Sequence, residues 1–495
     1  MRRRKLTFLF VSVALAFWVS LGAAQDLEER VVEHTLDNGL KILMLERHQA
    51  PVVAILMMFK GGSVDEEAGR TGIAHLLEHM LFKGTKTIGT KDYEKEKAIM
   101  DDIDVIAEAL DAERAKGDKA DKEKLEKLKH DLKAKQEEQK KWMVADEFGE
   151  IYERHGSVAL NAFTSTDYTG YVNGLPSNKL ELWAAMEADR MANPVLREFY
   201  VERDVVTEER RLGENRPGGK LREQFQAAAF VAHPYRNPVV GWMSDISTVK
   251  RKDAEDFFKT HYAPNNSVVA IVGDINPPEV IKLLEKYLAS IPAQPPESRL
   301  ITSEPKQEGE RRVEVLFDAE PGLMIGYHKP TFPHPDDYVF EVMAAILSWG
   351  RTSRFHLNLI EGQELAVNAR ASNGIPGARY DNLFGALATP RHPHTAEELE
   401  KAILAELEKL KAEPVSNEEL ERVRNQVEAD FVRSLASNWI AFELAYNEVI
   451  AGSWKHILEY RNAIRSVTAE DIMRVAKEYL IKSNRTVATL VKKGK

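Results

Sequence analysis

Short apolar runs alternate with longer amphipathic segments along most of this chain. The runs at 52–59 and 313–316 have the length and composition of strands. The segments 396–412 and 417–435 place apolar residues three and four positions apart, which predicts amphipathic helices. Because both kinds of element occur throughout, we expect an α+β fold in which helices pack on one face of a sheet.

This pattern recurs with an offset of 218 residues. The offset aligns, without gaps, Ile246 with Ile464, Val249 with Val467, Asp253 with Asp471, Asn266 with Asn484, Val269 with Val487 and Ala270 with Ala488. Both copies read as a helix, a short turn and an apolar strand, at 268–272 and at 487–491. We therefore predict two tandem homologous αβ domains that arose by duplication. A chance match between common helix–strand patterns is the alternative.

A stretch rich in Pro, Glu, Ser and Lys separates the two copies. It predicts an interdomain linker over 294–312, with an N-terminal domain at 25–293 and a C-terminal domain at 313–495.

An Ala-, Glu-, Lys- and Asp-rich segment at about 95–148 interrupts the N-terminal domain. Leu125, Leu128 and Leu132 form a narrow apolar stripe, and Gly117 marks a break. This predicts an inserted helical hairpin, to which we assign no chemistry.

The first residues resemble an export signal. Arg2, Arg3, Arg4 and Lys5 precede an apolar run over 6–19, and the small residues Gly22 and Ala24 follow it. We expect residues 1–24 to be a signal peptide cleaved after Ala24, and the mature protein to be periplasmic or otherwise secreted, with no stable membrane span. An uncleaved anchor is the alternative, and the general and twin-arginine export routes both stay open.

Composition narrows the class of protein further. The chain has 495 residues, of which 43% are hydrophobic and 29% charged, as expected for a soluble globular protein. Its net charge of −10 argues against nucleic acid or an anionic membrane as the main partner. The absence of cysteine excludes disulfides and a lipoprotein anchor. A metal site must therefore use histidine and carboxylate, which suits zinc.

The candidate chemistry lies in five residues, His75-Leu-Leu-Glu-His79. A His-x-x-acid-His arrangement is expected by chance about 0.06 times in a chain of this composition. On a helix the two histidines lie about 40° apart and Glu78 lies beside both, so two imidazoles and a carboxylate can meet one cation. The neighbouring residues are apolar, and a buried helix must satisfy these polar groups. Two histidines with ordinary hydrogen bonds are the alternative; the motif itself is that of inverted zinc proteases.

A further ligand is expected from the helix that follows Pro194. Glu209 and Glu202 fall within an apolar arc that includes Val205, whereas Glu208 falls at its edge. Acids buried among valines need a facing cation. Helix geometry alone ranks Glu209 and Glu202 together.

Four segments carry a family resemblance: 72–85 (GIAHLLEHMLFKGT), 161–165 (NAFTS), 188–194 (ADRMANP) and 202–209 (ERDVVTEE). With these the chain resembles the pitrilysin/insulinase family of zinc peptidases, which includes the mitochondrial processing peptidase. The resemblance implies that the two αβ domains form half of a clamshell. A second subunit would supply the other half.

The resemblance also implies a site. It assigns one Zn²⁺ per chain to His75, His79 and Glu209, with Glu78 as general base and Glu202 as a supporting acid. It further implies that an edge strand binds extended peptide by backbone pairing. The residues of that strand are Asn161, Ala162, Phe163 and Thr164. Without the resemblance, an ordinary strand and turn would be the interpretation of this segment.

The C-terminal domain departs from the family pattern. Active single-chain relatives carry there an Arg and, seven residues later, a Tyr that contact substrate near the zinc. Ile360 and Val367 stand at those positions, and neither side chain can donate a hydrogen bond to an oxyanion. We therefore expect a paralogous partner subunit to supply the donors; an error of register in the alignment is the alternative.

The sequence thus predicts a zinc-dependent endopeptidase that cleaves unfolded peptides, with Glu78 activating a water at the metal. A non-catalytic scaffold or chaperone-like subunit of the same fold is one alternative, although a scaffold has no use for Glu78. A metal-dependent hydrolase acting on another substrate is a second alternative.

Overall fold

Two mixed β-sheets, one from each half of the chain, organise the structure. The computed structural model describes residues 27–295 and 301–492. The first sheet has the order β1-β2-β6-β3-β5-β4 and the second the order β7-β11-β8-β10-β9. The strands are β1 Val31–Thr35, β2 Lys41–Glu46, β3 Val52–Phe59, β4 Val158–Thr164, β5 Thr169–Pro176, β6 Ser267–Gly273, β7 Arg311–Phe317, β8 Gly322–Lys329, β9 Ala366–Ile375, β10 Asn382–Pro390 and β11 Arg485–Lys492.

Most helices of the first half lie on one face of the first sheet. The helices of this half are α1 Ile73–Met80, α2 Tyr93–Arg114, α3 Lys122–Lys140, α4 Glu147–Arg154, α5 Leu180–Ala192, α6 Phe199–Glu214, α7 Pro217–Ala229, α8 Met243–Ile246, α9 Arg251–His261 and α10 Pro277–Leu288. The helices of the second half are α11 Pro335–Ser348, α12 Ala396–Ala412, α13 Asn417–Ala436, α14 Ile440–Ala451, α15 His456–Ser466 and α16 Ala469–Tyr479. A π-helical turn spans His356–Gly362.

Five strands of the first sheet follow the same order as the five strands of the second, which confirms the predicted repeat; β1 has no counterpart among the described strands. β2 pairs parallel with β6 as β7 does with β11, and the next three strands of each sheet pair antiparallel. The offset of 218 residues maps α9 onto α16 and the start of β6 onto the start of β11. The predicted α+β class with two homologous halves is confirmed.

One helix from each half packs against the sheet of the other half, which the sequence did not predict. Helix α14 packs on β3 and β6 of the first sheet, whereas α7 packs on β7, β8 and β11 of the second. Each sheet is therefore covered on both faces, not on one as expected. This explains why β6 is buried along its whole length and reads as a continuous apolar run.

The predicted helical hairpin is present as α2 and α3. A 3₁₀ turn at Gly117–Lys119 joins them, and Ile99, Ile103 and Ala107 of α2 belong to the first core. Helix α3 is mostly exposed, and the Gln139 side chain at its end donates to Glu96 at 3.2 Å. The insertion is thus an anchored element and not a free arm.

The predicted linker and signal peptide fall partly or wholly outside the described residues. Residues 301–310 form neither helix nor strand, and β7 begins at Arg311. The predicted signal segment 1–24 lies outside the description. In the part of the chain that is described, each helix is too short or too polar to cross a bilayer.

Candidate zinc site

Helix α1 is fixed at its N-terminus by a glycine and a buried carboxylate. Gly72 has a φ of +90°, and a Cβ atom there would lie 2.5 Å from the Val240 carbonyl oxygen, so no other residue fits without movement. The Glu66 carboxylate accepts hydrogen bonds from the amides of Gly72 and Ala74, each at 2.9 Å. The start of the motif helix is therefore set by residues outside the motif.

The apolar face of α1 determines where its polar side chains point. Five of its residues are buried in the first core: Ile73, Ala74, Leu76, Leu77 and Met80. His75, Glu78 and His79 lie at the edge of this face and are half-buried. The two imidazole rings are 4.9 Å apart between centroids. The predicted clustering of the motif on one side of a buried helix is confirmed.

Helix α6 brings a carboxylate to the two histidines. The Glu209 Oε2 atom lies 3.7 Å from His75 Nε2 and 3.9 Å from His79 Nε2. One candidate ligand atom from each residue lies within 4.8 Å of the other two. Ligands about 2.0–2.2 Å from one tetrahedral ion are separated by about 3.3–3.6 Å, so a small inward movement would close this triangle on zinc.

A chain of ion pairs orients the second histidine. The Nδ1 atom of His79 lies 3.4 Å from Glu202 Oε2, and the Lys83 Nζ lies 2.6 Å from Glu202 Oε1. The His79 contact, helped by Lys83, lowers the pKa of Glu202 to about 2, and the same contact raises the pKa of His79. With Nδ1 facing Glu202, the Nε2 atom is left to face Glu209. Carboxylates placed in this way fix the tautomer of metal-binding histidines.

His75 has a different environment. Burial, followed by the neighbouring His79, lowers the pKa of His75 to about 4, so this imidazole is neutral at neutral pH. Its Nδ1 atom is buried and lacks a hydrogen-bond partner among the described residues. A neutral imidazole is the form that binds metal ions. The donor set of two imidazoles and a carboxylate therefore fits zinc.

Glu78 is held by the strand at the edge of the sheet. The Thr164 hydroxyl donates to Glu78 Oε2 at 2.6 Å, and burial raises the pKa of this carboxyl. Thr164 is the last residue of β4, which lies at the end of the strand order and pairs with β5. The predicted edge position of Asn161–Thr164 is thus observed. The hydroxyl contact was missed because nothing in the sequence links residues 86 positions apart.

The environment of Glu209 differs from the one predicted. Glu209 was expected to be buried among apolar neighbours, but its side chain is 44% exposed, and Val205 and Leu212 are exposed too. The buried face of α6 instead carries Arg203, paired with Asp111, and Arg210, paired with Glu223. These ion pairs allow charged residues to be buried, which apolar periodicity cannot foresee. An exposed carboxylate leaves the site open to solvent and substrate.

The two residues that depart from the family pattern lie in the second half. Ile360 is in the π-helical turn and packs against the second core. Val367 lies near the start of β9, the edge strand of the second sheet, and is 58% exposed. The predicted role of a partner at these positions stays a prediction.

The sequence matches two models of one peptidase family. The model described as "Insulinase (Peptidase family M16)" matches residues 41–101 and 137–241, which include the whole candidate site. The model described as "Peptidase M16 inactive domain" matches residues 248–427. The chain belongs to peptidase family M16. With the His75, His79 and Glu209 group, it is a zinc protease of this family. The unmatched residues 102–136 lie within the α2–α3 hairpin.

Relatives of this M16 protease match it along most of its length. The zinc protease PqqE of Helicobacter pylori is 28% identical over 95% of this chain and 96% of its own. A probable mitochondrial-processing peptidase subunit beta of Arabidopsis thaliana is 23% identical, over 90% of this chain and 75% of its own. The crystal structure of a protease from Helicobacter pylori superposes with a TM-score of 0.76 and 28% identity, covering 93% of this chain and 99% of that one.

Proposed function

We propose that this M16 protease is an endopeptidase that hydrolyses unfolded peptides or oligopeptides. One zinc ion per chain is held by His75, His79 and Glu209, and Glu78 is the general base. A single observation carries the proposal: the Glu78 carboxylate lies beside the two histidines and is held by Thr164 at the free edge of a sheet. A base, a metal-ligand set and a place for an extended chain therefore occur together.

The residues of the chain have separate tasks in this reaction. Bound zinc supplies Lewis acidity, which lowers the pKa of a coordinated water towards ~7 and polarises the scissile carbonyl. Glu78, with Oε2 held by Thr164, takes the proton of the attacking water at Oε1. The same carboxyl then returns that proton to the leaving amine. Glu202 holds His79 in position throughout, and Lys83 holds Glu202.

The substrate is bound as an added strand. The residues Asn161, Ala162, Phe163 and Thr164 present the free edge of β4, so an extended peptide can pair with their backbone groups. Backbone pairing requires an unfolded segment but little particular sequence. Since Thr164 contacts Glu78, a peptide on this edge passes next to the base.

A partner subunit completes the site. Ile360 and Val367 cannot donate hydrogen bonds, and removal of one oxyanion donor typically lowers turnover by about 10²–10³-fold. We propose that a paralogous chain supplies an Arg and a Tyr at the corresponding positions. In support, one relative is named as the beta subunit of a processing peptidase. A homodimer is the alternative assembly.

Export is proposed on the sequence alone. The basic start, the apolar run and the small residues before position 25 have the pattern of a cleaved signal. We expect the mature protein in the periplasm or outside the cell. N-terminal sequencing of the protein from cell fractions tests this, and an intact N-terminus in the cytosolic fraction would contradict it.

The test of catalysis compares Glu78→Gln with a matched control, Glu208→Gln. Glu208 is an exposed acid on α6 that pairs with Arg211. Hydrolysis of a quenched fluorescent peptide is measured for the chain alone and mixed with its paralogue. We expect Glu78→Gln to lower turnover by about 10²–10⁴-fold while one zinc per chain is retained, and Glu208→Gln to match wild type.

Three outcomes separate the alternatives. Unchanged cleavage by Glu78→Gln would show that the base is assigned wrongly. Equal rates for the chain alone and for the mixture would refute the two-subunit proposal. A folded protein that binds no zinc and cleaves no peptide would favour the scaffold.

A further inference from the structure

A cavity of about 420 Å³ lies in the second half of the chain, and the proposed reaction does not use it. All of its lining residues fall between Thr331 and Arg461, so none comes from α1 or α6. The ends of β9 and β10 and the helices α11, α13, α14 and α15 surround it. Its volume lies within the range of about 300–1,000 Å³ that is typical of small-molecule sites.

Two carboxyl groups in the cavity lack a basic partner. Glu341 of α11 and Glu443 of α14 form no ion pair with any residue that the structure describes. Glu443 Oε1 accepts a hydrogen bond from Trp439 Nε1 at 3.0 Å. Burial raises the pKa of both carboxyls. For Glu341, hydrogen bonds from Asn373 and Tyr460 and the charge of Lys329 oppose this shift but do not outweigh it.

The cations near these acids are bound to other groups. Lys329 pairs with Asp337, a third acid in the lining, and Arg461 bonds Glu428 at 2.5 and 2.7 Å. The cavity therefore keeps two acids for which the fold supplies no dedicated counter-ion.

A buried amide oxygen in the lining also lacks a donor. Asn382 is fully buried, and its Oδ1 atom has no hydrogen-bond partner among the described residues. Its orientation is fixed, because Nδ2 donates to the Tyr380 carbonyl oxygen at 3.1 Å and a carbonyl can only accept. The Oδ1 atom of Asn373 is likewise without a donor in the described chain. Two amide oxygens of the lining thus lack donors among the described residues.

Aromatic rings form part of the wall. Five aromatic side chains line the cavity: Phe332, Trp349, Tyr446, His456 and Tyr460. The rings of Phe332 and His456 lie 3.7 Å apart between centroids. Aromatic faces attract cations, and they do so most where water is excluded.

We propose that this cavity binds an alkylammonium or guanidinium group. Such a group carries three to five N–H donors and a positive charge, which complements two carboxyls and two amide oxygens. The same carboxyls exclude anions. Either a free small amine or the basic side chain of a peptide could supply this group.

A chain of contacts favours the peptide as one source. Trp439, which bonds Glu443, stacks on Phe442 at 4.5 Å, and Phe442 lies 5.9 Å from Phe163 of β4. A peptide added to β4 would pass the aromatic end of this route. This source, unlike binding of a free amine, rests on the proposed function.

The first experiment measures binding of butylguanidinium to the full chain by isothermal titration calorimetry. Butylurea serves as the uncharged ligand of the same shape. Glu443→Gln and Glu341→Gln remove one charge each, and Glu418→Gln, an exposed acid on α13, is the control. We expect butylguanidinium to bind, each cavity variant to weaken it about tenfold or more, and the control to match wild type. Butylurea should not saturate at the same concentrations.

Either of two results would overturn the proposal: equal binding of butylurea and butylguanidinium, or unchanged affinity in both cavity variants. Circular dichroism checks that each variant folds. If Glu341→Gln does not fold, the affinity of Glu443→Gln and the comparison of the two ligands on wild type still test the proposal.

A second experiment identifies the source of the cation. Decapeptides with a single arginine or, at that position, citrulline are titrated into the Glu78→Gln chain, so that no cleavage interferes. Tighter binding of the arginine peptide that disappears with Glu443→Gln assigns the site to peptide side chains. Equal binding of the two peptides, with butylguanidinium still bound, assigns it to a free amine. Failure of wild type to cleave any peptide would refute the proposed function and leave this binding result intact.

Discussion

The two halves of this chain share the order of five strands but have different chemistry after the equivalent strand. The first α-helix after β3 is α1, which carries His75, Glu78 and His79 at the margin of its buried face. The first α-helix after β8 is α11, whose buried residues are almost all apolar. Likewise Thr164, the last residue of β4, lies beside the base, whereas Val367, near the start of the equivalent strand β9, is exposed. Strand order is set by apolar patterning and is shared, while the site depends on a few side chains and is not.

The halves also differ in how they use acidic side chains. The pKa of Glu202 in the first half and that of Glu419 in the second are both lowered to about 2. His79 and Lys83 lower the pKa of Glu202 at the candidate zinc site. Arg354 and the N-terminus of α13 lower that of Glu419. An acidic carboxylate by itself therefore does not indicate function, and its partners must be considered.

The largest effect is expected where the halves exchange helices. The Phe225 ring of α7 packs closely on Gly326 of β8, where an added Cβ atom would lie 2.5 Å from the ring. Leu444 of α14 is fully buried on the first sheet. Phe225→Ala should lower the free energy of unfolding by about 3–5 kcal/mol and Leu444→Ala by about 2–5 kcal/mol. Urea unfolding measures both.

Because each half buries a helix of the other, both variants should shift one common transition. Leu212→Ala, at an exposed leucine of α6, is the control and should change stability by less than about 0.5 kcal/mol. Separate transitions for the two halves would show that the exchanged helices do not couple them.

A smaller effect is expected from Glu202→Gln. The variant keeps the shape of the side chain but weakens the contact that orients His79, so zinc affinity should fall by about 10–100-fold. Competition with a fluorescent chelator measures this affinity. Glu419→Gln should leave it unchanged, and an equal loss in both variants would contradict the distinction between the two acids.

Thr164→Val tests the contact between the edge strand and the base. Valine has a volume similar to that of threonine but lacks the hydroxyl that bonds Glu78. We therefore expect kcat to fall about tenfold, or ~1.4 kcal/mol, with KM and zinc content unchanged. Thr164→Ser restores the hydroxyl and should recover most of the loss. A rise in KM alone would instead place Thr164 in peptide binding.

The smallest effect is expected in the pH dependence of stability, through the pKa of Glu419. Burial alone would raise the pKa of this carboxyl, but hydrogen bonds from Arg354 and Ser416 outweigh it and lower the pKa from 4.5 to about 2. Between these values the folded chain binds fewer protons than the unfolded chain. The stabilisation is therefore complete above about pH 5 and is lost as pH falls towards 2.

The comparison of wild type with Glu419→Gln measures that contribution. At pH 7 the variant should be less stable by about 1 kcal/mol, since the pair is partly exposed and screened. This difference should shrink as the pH is lowered from 5 to 3. A difference that is constant with pH would assign the effect to packing.

Local pattern was enough to predict the class of fold, the repeat, the helical hairpin and the clustering of His75, Glu78 and His79. Each of these depends on the spacing of apolar residues within one element, and that spacing is written directly in the chain. The identity of Glu209 as the third member came from family resemblance, since helix geometry ranked it equally with Glu202.

Only the tertiary structure decided the exchange of α7 and α14, the exposure of Glu209, the hydroxyl of Thr164 on Glu78 and the cavity of the second half. All four arise from residues far apart in sequence that meet when the sheets close. On α6, buried ion pairs such as Arg203–Asp111 allow charged residues on the face that is buried, where the apolar pattern had predicted Val205. Periodicity therefore tells which face of an element is apolar, but the partners across the interface decide which polar groups that face can also hold.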